Sequence, residues 1–284
     1  MMTLLRKVDW SSRFVRYNLI ISTVLTIIGF FWVYPFLWSA FSAFKSQREM
    51  FTAGSDLIPK EWTWDNIPRA WNDAGFGDYF FNTVLYSVSS TTIVLIFTAM
   101  CGYVLARYRF PGRNIIFSVI LGTLFIPIAS VILPQFLLVK ELGLLNTRPG
   151  VILAMSGGGA LYVLLFASFF STIPDELFDA ARIDGAGFGR VFQLMLPLAK
   201  PIIGTVAIFQ FIGSWNEFNI PLIFTLSSPE LRTLAVGMFA FQGEYSFDWA
   251  GFAAGTLISI MPVLLVFLAF QGQFVRGLSG AVKQ

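Results

Sequence analysis

Between Lys200 and Glu230 the chain carries one charged side chain, Glu217, set in the run Trp215–Asn216–Glu217–Phe218. In Trp215 and Asn216 an aromatic face stands beside amide donors and acceptors, which sugar recognition generally uses. A second concentration of chemistry lies upstream in STIPDELFDAARIDGAGFGRVFQLMLPLAKP (171–201), where Asp175, Glu176, Asp179 and Asp184 stand with Arg182 and Arg190. Other chemistries are excluded by residue type. There are no histidines and one cysteine, Cys101, so zinc, haem and disulfide frameworks lack ligands. Cys101 reads as a small buried hydrophobe. The one Lys followed by Ser or Thr is Lys45, and Phe44 stands where a phosphate-binding loop needs glycine. Any work driven by ATP therefore needs another chain to bind the nucleotide.

The elements that hold these residues must be membrane helices. The 284-residue chain is 56% hydrophobic and 12% charged, with mean hydropathy +0.72. A soluble domain carries about 25% charge. Residues 17–44, 79–106, 114–139, 149–174 and 249–275 contain no Asp, Glu, Lys or Arg, and only Glu217 interrupts the stretch after Lys200. Each window reaches the ~20 residues of a bilayer-spanning helix. Backbone groups in hydrocarbon must be satisfied within their own segment, and the runs do not alternate, so helices rather than a barrel are expected. The expected fold is all-α and integral to the membrane, with six transmembrane helices. The first run is too long for a signal-peptide core and lacks a small-residue cleavage pattern.

Lysine and arginine favour the cytoplasmic side. With six spans, one side holds Arg6, Lys7, Arg13, Arg16, Arg107, Arg109, Arg113, Arg182, Arg190, Lys200, Arg276 and Lys283, most of the 19 basic residues. Both termini and the 171–201 stretch are thus expected in the cytoplasm. The domain reading is a cytoplasmic N-terminus over 1–16, a six-span transmembrane body over 17–276 and a cytoplasmic tail over 277–284. Within the body, 45–78 is an external loop and 172–197 a cytoplasmic one.

In that cytoplasmic loop, Thr172 and Asp175 fit a capping box with Pro174 in the first turn. Acids at the start, Arg182 in the last turn and Gly185 beyond it complete the pattern of a helix over roughly 174–184. A second helical piece is expected over 188–196, running toward Pro197. Leu177, Phe178, Ala180, Ala181 and Ile183 are expected to be exposed, with the two alanines small enough to admit another surface closely. The helix could lie on lipid headgroups, but such helices are usually rich in Lys and Arg. An acidic, capped helix suits a protein partner better.

DAARIDGAGFGRVFQLMLP (179–197) resembles the signature loop of ABC-importer permeases, E-A-A-x3-G-x9-I-x-L-P. Asp179, Ala180, Ala181 and Gly185 fall on its first half, and Leu194, Leu196 and Pro197 on its second. Asp replaces the leading Glu, and one residue is missing between Gly185 and Leu194. CGYVLARYRFPGR (101–113), IPIASVILPQFLLVKELGLLNTRPGVIL (126–153) and FIGSWNEFNIPLIF (211–224) are similar to the carbohydrate-uptake branch, in particular the shorter permease of maltose-type importers. The resemblance implies the type I importer permease fold, with the loop as a coupling helix seated in a cleft of an ATP-binding subunit. Glu176, Asp179, Ala180, Ala181, Arg182, Asp184, Gly185 and Pro197 become the expected coupling residues. It further implies a second homologous permease, two ATP-binding subunits that hold ATP and Mg, an extracytoplasmic solute-binding protein, and a bacterial or archaeal inner membrane. This chain itself would hold no cofactor, metal or nucleic acid and would catalyse nothing.

Trp215, Asn216, Glu217 and Phe218 are the expected pathway residues. An ionisable group in a span faces a bundle interior or a watery cavity rather than lipid. Glu217 lies about 25 Å along the helix from Lys200. Gly213 and Pro221 flank it, so the helix is expected to bend or unwind there. Trp215 could equally be an interfacial anchor, and Asn216 and Glu217 could tie one helix to another. Pro127 and Pro134 imply kinks in the third span. LIPKEWTWDNIPRAW (57–71) reads as an ordered external segment: either headgroup anchoring by Trp62, Trp64 and Trp71, or a rim for a binding protein, which 227–248 could join. Related solutes, such as a glycerophosphate ester or an acidic oligosaccharide, fit the same architecture. An ion-coupled secondary transporter would need more intramembrane charge and an inverted repeat, and a membrane enzyme a convergent catalytic pair.

Overall fold

The computed structural model describes residues 13–52, 56–243 and 246–281, with side chains at 17–52, 56–243 and 246–268. Arg6, Lys7 and Lys283, which weigh in the expected orientation, lie outside the described residues, as do the side chains of Arg13, Arg16 and Arg276. The described residues are helical apart from turns and an isolated bridge between Gln242 and Phe247. The chain divides into two compact units, 1–70 with 241–257, and 71–240 with 258–284.

The first unit contains α1 (Arg13–Ser42), α2 (Gln47–Thr52) and α3 (Asn66–Pro68). α1 is apolar all round and little of it is buried, so its side chains, Phe31 and Trp32 among them, face outward. The segment after it is well knit. Lys45 is fully buried, donates to the Asp56 carbonyl and lies over the Trp38 ring at 5.8 Å. The Asn66 amide donates to the carbonyls of Ala43 (2.9 Å) and Lys45 (2.8 Å). Glu49 accepts from the Lys60 N–H at 2.8 Å, and Arg69 pairs with Asp248 at 2.9 Å. These bonds hold the segment in one ordered conformation. Trp62 and Trp64 remain exposed while their ring edges meet Phe41 and Phe44.

The second unit is organised around α4 (Phe76–Arg107), against which α7, α8 and α11 pack. Around it the chain forms α5 (Arg113–Thr123), α6 (Ile128–Glu141), α7 (Arg148–Met155), α8 (Ala160–Ser171), α9 (Asp175–Ile183), α10 (Phe188–Met195), α11 (Lys200–Trp215), α12 (Asn219–Phe224), α13 (Leu234–Gly237) and the later part of α14 (Trp249–Ala281). Contact between α4 and α8 is close because Gly102 has no side chain. A Cβ there would stand 2.5 Å from Cβ of Phe166 and 2.8 Å from the Ala167 nitrogen. Small residues bring membrane helices together in this way. Ser90 and Ser214 join α4 to α11 through a buried hydroxyl pair at 3.0 Å.

Among the described residues, four helices are long and apolar enough to cross a bilayer singly: the described part of α1, α4, the stretch Phe188–Trp215 and the first part of α14. Two bent pairs raise the number to six if each crosses as one span. α5 and α6 meet at 108°, with Pro127 in extended conformation at the start of α6. Pro127 thus breaks the helix, whereas Pro134 is accommodated within α6. α7 and α8 meet at 55° across Gly157–Gly159, two of which have positive φ. Breaking a helix frees carbonyls that need partners. The Gln135 amide, reaching over from α6, donates to the Ala154 carbonyl at 2.7 Å and satisfies one of them.

Candidate functional site

α9 and α10 carry the acidic loop. Asp175 and Glu176 occupy the first turn of α9 and Arg182 its last, which complements the helix dipole. Gly185 ends the helix at φ +76, its N–H donating to the Arg182 carbonyl at 3.0 Å and that of Ala186 to Ala181 at 2.9 Å. These two bonds form the Schellman closure that glycine permits at this position. The helix start differs from expectation. Thr172 does not cap α9, because α8 continues through Ser171 and the Thr172 hydroxyl donates back to the Phe169 carbonyl at 2.7 Å. Pro174 occupies the cap position and supplies no side-chain acceptor.

Phe178 and Ala181 also differ: they are buried rather than exposed, Phe178 to 3%. α9 needs a back as well as a face, and its back joins a cluster with Ala99, Tyr103, Phe166, Phe170, Val191, Met195 and Val206. Phe178 stacks on Tyr103 with ring centroids 6.3 Å apart, and Phe188 and Phe192 of α10 reach the same tyrosine at 5.6 and 5.2 Å. The other face is bare. Glu176, Leu177, Asp179, Ala180, Arg182, Asp184 and Gly185 are exposed, and Ile183 is exposed to 85%. Asp179 and Arg182 approach to 3.5 Å on the surface. Pro197 is exposed in a 3₁₀ turn, Leu196–Ala199, through which α10 runs on into α11. Of the eight expected coupling residues, seven are therefore exposed, and Ala181 packs inward.

Arg107, which residue patterns did not single out, reaches this loop from the end of α4. Its guanidinium bonds the Asp175 carboxylate at 2.6 Å and lies 3.7 Å above the Phe178 ring. A cationic residue closing an apolar helix was its only signal in the sequence.

The other candidate cluster lies where α11 gives way to α12. The helix breaks over 216–218, as Gly213 and Pro221 led us to expect. Glu217 fills the break: its Oε1 accepts from the N–H groups of Asn219 (2.9 Å) and Ile220 (3.2 Å), which start α12. The Asn216 amide, exposed, donates to the Ile212 carbonyl at 2.8 Å. Phe218 lies against Phe239, centroids 5.6 Å apart. Trp215 is only 4% exposed, donates its indole N–H to the Ser259 carbonyl at 3.1 Å, and packs on Phe80 and Phe211. Its donor is committed within the chain, so Asn216, Glu217 and Phe218 alone of this cluster retain accessible surface. Among the described residues no group of three or more His, Cys, Asp or Glu is placed to hold a metal.

Comparison with known proteins bears on both clusters. Residues 98–280 match the family described as the binding-protein-dependent transport system inner membrane component. The diacetylchitobiose uptake system permease protein NgcG of Streptomyces coelicolor is 38% identical over 272 residues, covering 95% of this chain and 88% of that protein. The arabinooligosaccharides transport system permease protein AraQ of Bacillus subtilis is 33% identical over 278 residues, covering 96% and 98%. Among solved structures, a chain of a bacterial ABC transporter involved in import of the acidic polysaccharide alginate superposes with TM-score 0.80 at 23% identity, over 92% of this chain and 98% of that one. At that identity the likeness speaks for the fold, which is that of an ABC importer permease. With the family matched across both the acidic loop and the α11–α12 break, and relatives aligned along nearly the whole length, the chain belongs to the inner-membrane components of binding-protein-dependent transport systems, as a permease subunit of an ABC importer.

Proposed function

We propose that this permease imports a sugar or oligosaccharide and that α9 is the piece by which an ATP-binding subunit drives it. The observation that carries the coupling role is the two-sidedness of α9. Its back is locked into the aromatic cluster around Tyr103, while its acidic face and Ile183 stand free. An exposed large apolar residue amid charges, on a helix that cannot turn away, is what a partner's cleft engages. Asp179, Ala180, Arg182, Asp184 and Gly185 make the contact, with Glu176 and Pro197 at its margins. The partner subunits bind ATP and Mg and hydrolyse the nucleotide. This chain pairs with a second, homologous permease to frame the path and receives solute from an extracytoplasmic binding protein. Both termini lie in the cytoplasm, as the distribution of Lys and Arg favours.

The sugar reading rests on the relatives, permeases for diacetylchitobiose and arabinooligosaccharides. Asn216, Glu217 and Phe218 line the path at the break in the fifth apolar stretch, where unwound backbone and polar side chains meet. Affinity capture of the assembled transporter tests the coupling role: the ATP-binding subunit co-purifies with the intact chain and is lost on deletion of 179–185. Capture that survives the deletion would refute it. A thermal-shift screen of the cognate binding protein against a sugar panel identifies the solute, and a response to non-carbohydrate solutes alone would overturn the sugar reading.

A further inference from the structure

The covalent attachment of α9 is weak. Three residues, Thr172–Pro174, join it to α8, and four, Asp184–Gly187, join it to α10. Gly185 sits at positive φ with open space around its Cα, and Gly187 likewise has nothing near it. Such connections fix the position of a helix but transmit torque poorly. Rigidity must come from side chains, and Tyr103 and Arg107 provide it from one turn of α4. Phe178 packs against Tyr103 within the buried cluster. Arg107 adds to that hold by acting at two points. It bonds Asp175 in the first turn of α9 at 2.6 Å, and it caps the Phe178 ring at 3.7 Å. The guanidinium is built into the fold, with its side chain 10% exposed, while the Asp175 side chain is 85% exposed. The pair is therefore anchored from α4 outward. The same end of α4 is itself secured, since the Arg113 Nε donates to the Leu105 carbonyl at 2.7 Å.

We propose that Arg107 is a positioning residue that clamps α9 onto α4, so that a push on the acidic helix is delivered to the 32-residue helix at the centre of the second unit. Planarity matters as much as charge, because only a flat guanidinium bonds a carboxylate in its plane while its face covers a ring. The clamp rests on the coupling role proposed for α9. Its loss lets α9 engage the ATPase and move without α4 following.

The assembled transporter in proteoliposomes, with its binding protein, tests this through the ratio of solute imported to ATP hydrolysed. Arg107→Gln lowers that ratio by about fivefold or more, with unchanged membrane level and unchanged capture of the ATP-binding subunit. Arg107→Lys, which keeps the charge but not the flat stacking, recovers at least part of it. Phe178→Leu, which leaves the ion pair, lowers the ratio less than Arg107→Gln. Spin labels on α4 and at Ile183 report a broader distance distribution in Arg107→Gln than in the parent. A parent-like ratio in Arg107→Gln, or a fall explained wholly by lost ATPase capture, overturns the clamp. Failure of the parent chain itself to capture an ATPase is a separate result, which overturns the coupling role of α9 instead.

Discussion

A single missing side chain sets how closely the two most intimate helices of the second unit approach. At Gly102 a methyl group would meet Cβ of Phe166 at 2.5 Å and the Val163 carbonyl at 2.9 Å, and neither can step aside without moving α8. Gly102→Ala should cost about 1–3 kcal/mol of stability through overpacking, seen as an earlier unfolding transition of the purified permease in detergent. Glu217 shows a residue doing a different job from the one its isolation suggested. The charge that looked like a ligand group also closes the start of α12. Glu217→Ala should cost about 1 kcal/mol, the usual loss on removing a helix cap. Glu217→Gln keeps an acceptor oxygen, so uptake falls less than in the loop variants below and ATPase capture is unchanged. Proximity to Gly213 and Pro221 made the break legible in the sequence. The capping bond was not legible, because it depends on where the chain turns after Trp215.

At the scale of elements, α9 is where residue patterns were most informative and also where they misled. Its limits, its dipole-matched charges and Gly185 follow from local rules, since each involves residues within a few positions of one another. Gly185→Pro tests that local logic directly. Proline holds φ near −65°, whereas Gly185 stands at +76 and donates its N–H to Arg182. The variant should abolish uptake while the permease remains in the membrane at normal level. Reversing the exposed charge in Asp179→Lys should have the same outcome without altering the helix, and normal transport by both variants would remove α9 from the mechanism. Which side of α9 turns inward was not local information. Phe178 and Ala181 are apolar and small residues like Ile183 and Ala180, and only packing into the cluster around Tyr103 separates the pairs. Thr172 misled for a related reason: a hydroxyl can serve the helix before it or the helix after it, and α8 claimed it.

For the whole molecule, composition and charge pattern suffice for a helical membrane protein, because lipid leaves the backbone only helices or closed barrels and the apolar runs do not alternate as barrel strands would. They also give an expected orientation, which reporter fusions at the two termini can check. Both fusions should be active only with a cytoplasmic reporter, and an external signal from either would invert the topology. The sequence alone thus determined the medium, the helical class, the acidic loop and the breaks at Pro127 and after Trp215, since each depends on burial preference or neighbouring residues. Tertiary structure decided the rest: that the third and fourth apolar stretches are sharply bent pairs, that Gln135 reaches across to serve the carbonyl of Ala154, and that Arg107 grips a residue 68 positions away. Those contacts join segments far apart in the chain, and nothing in residue order encodes a meeting that only the packing of α4 against its neighbours brings about.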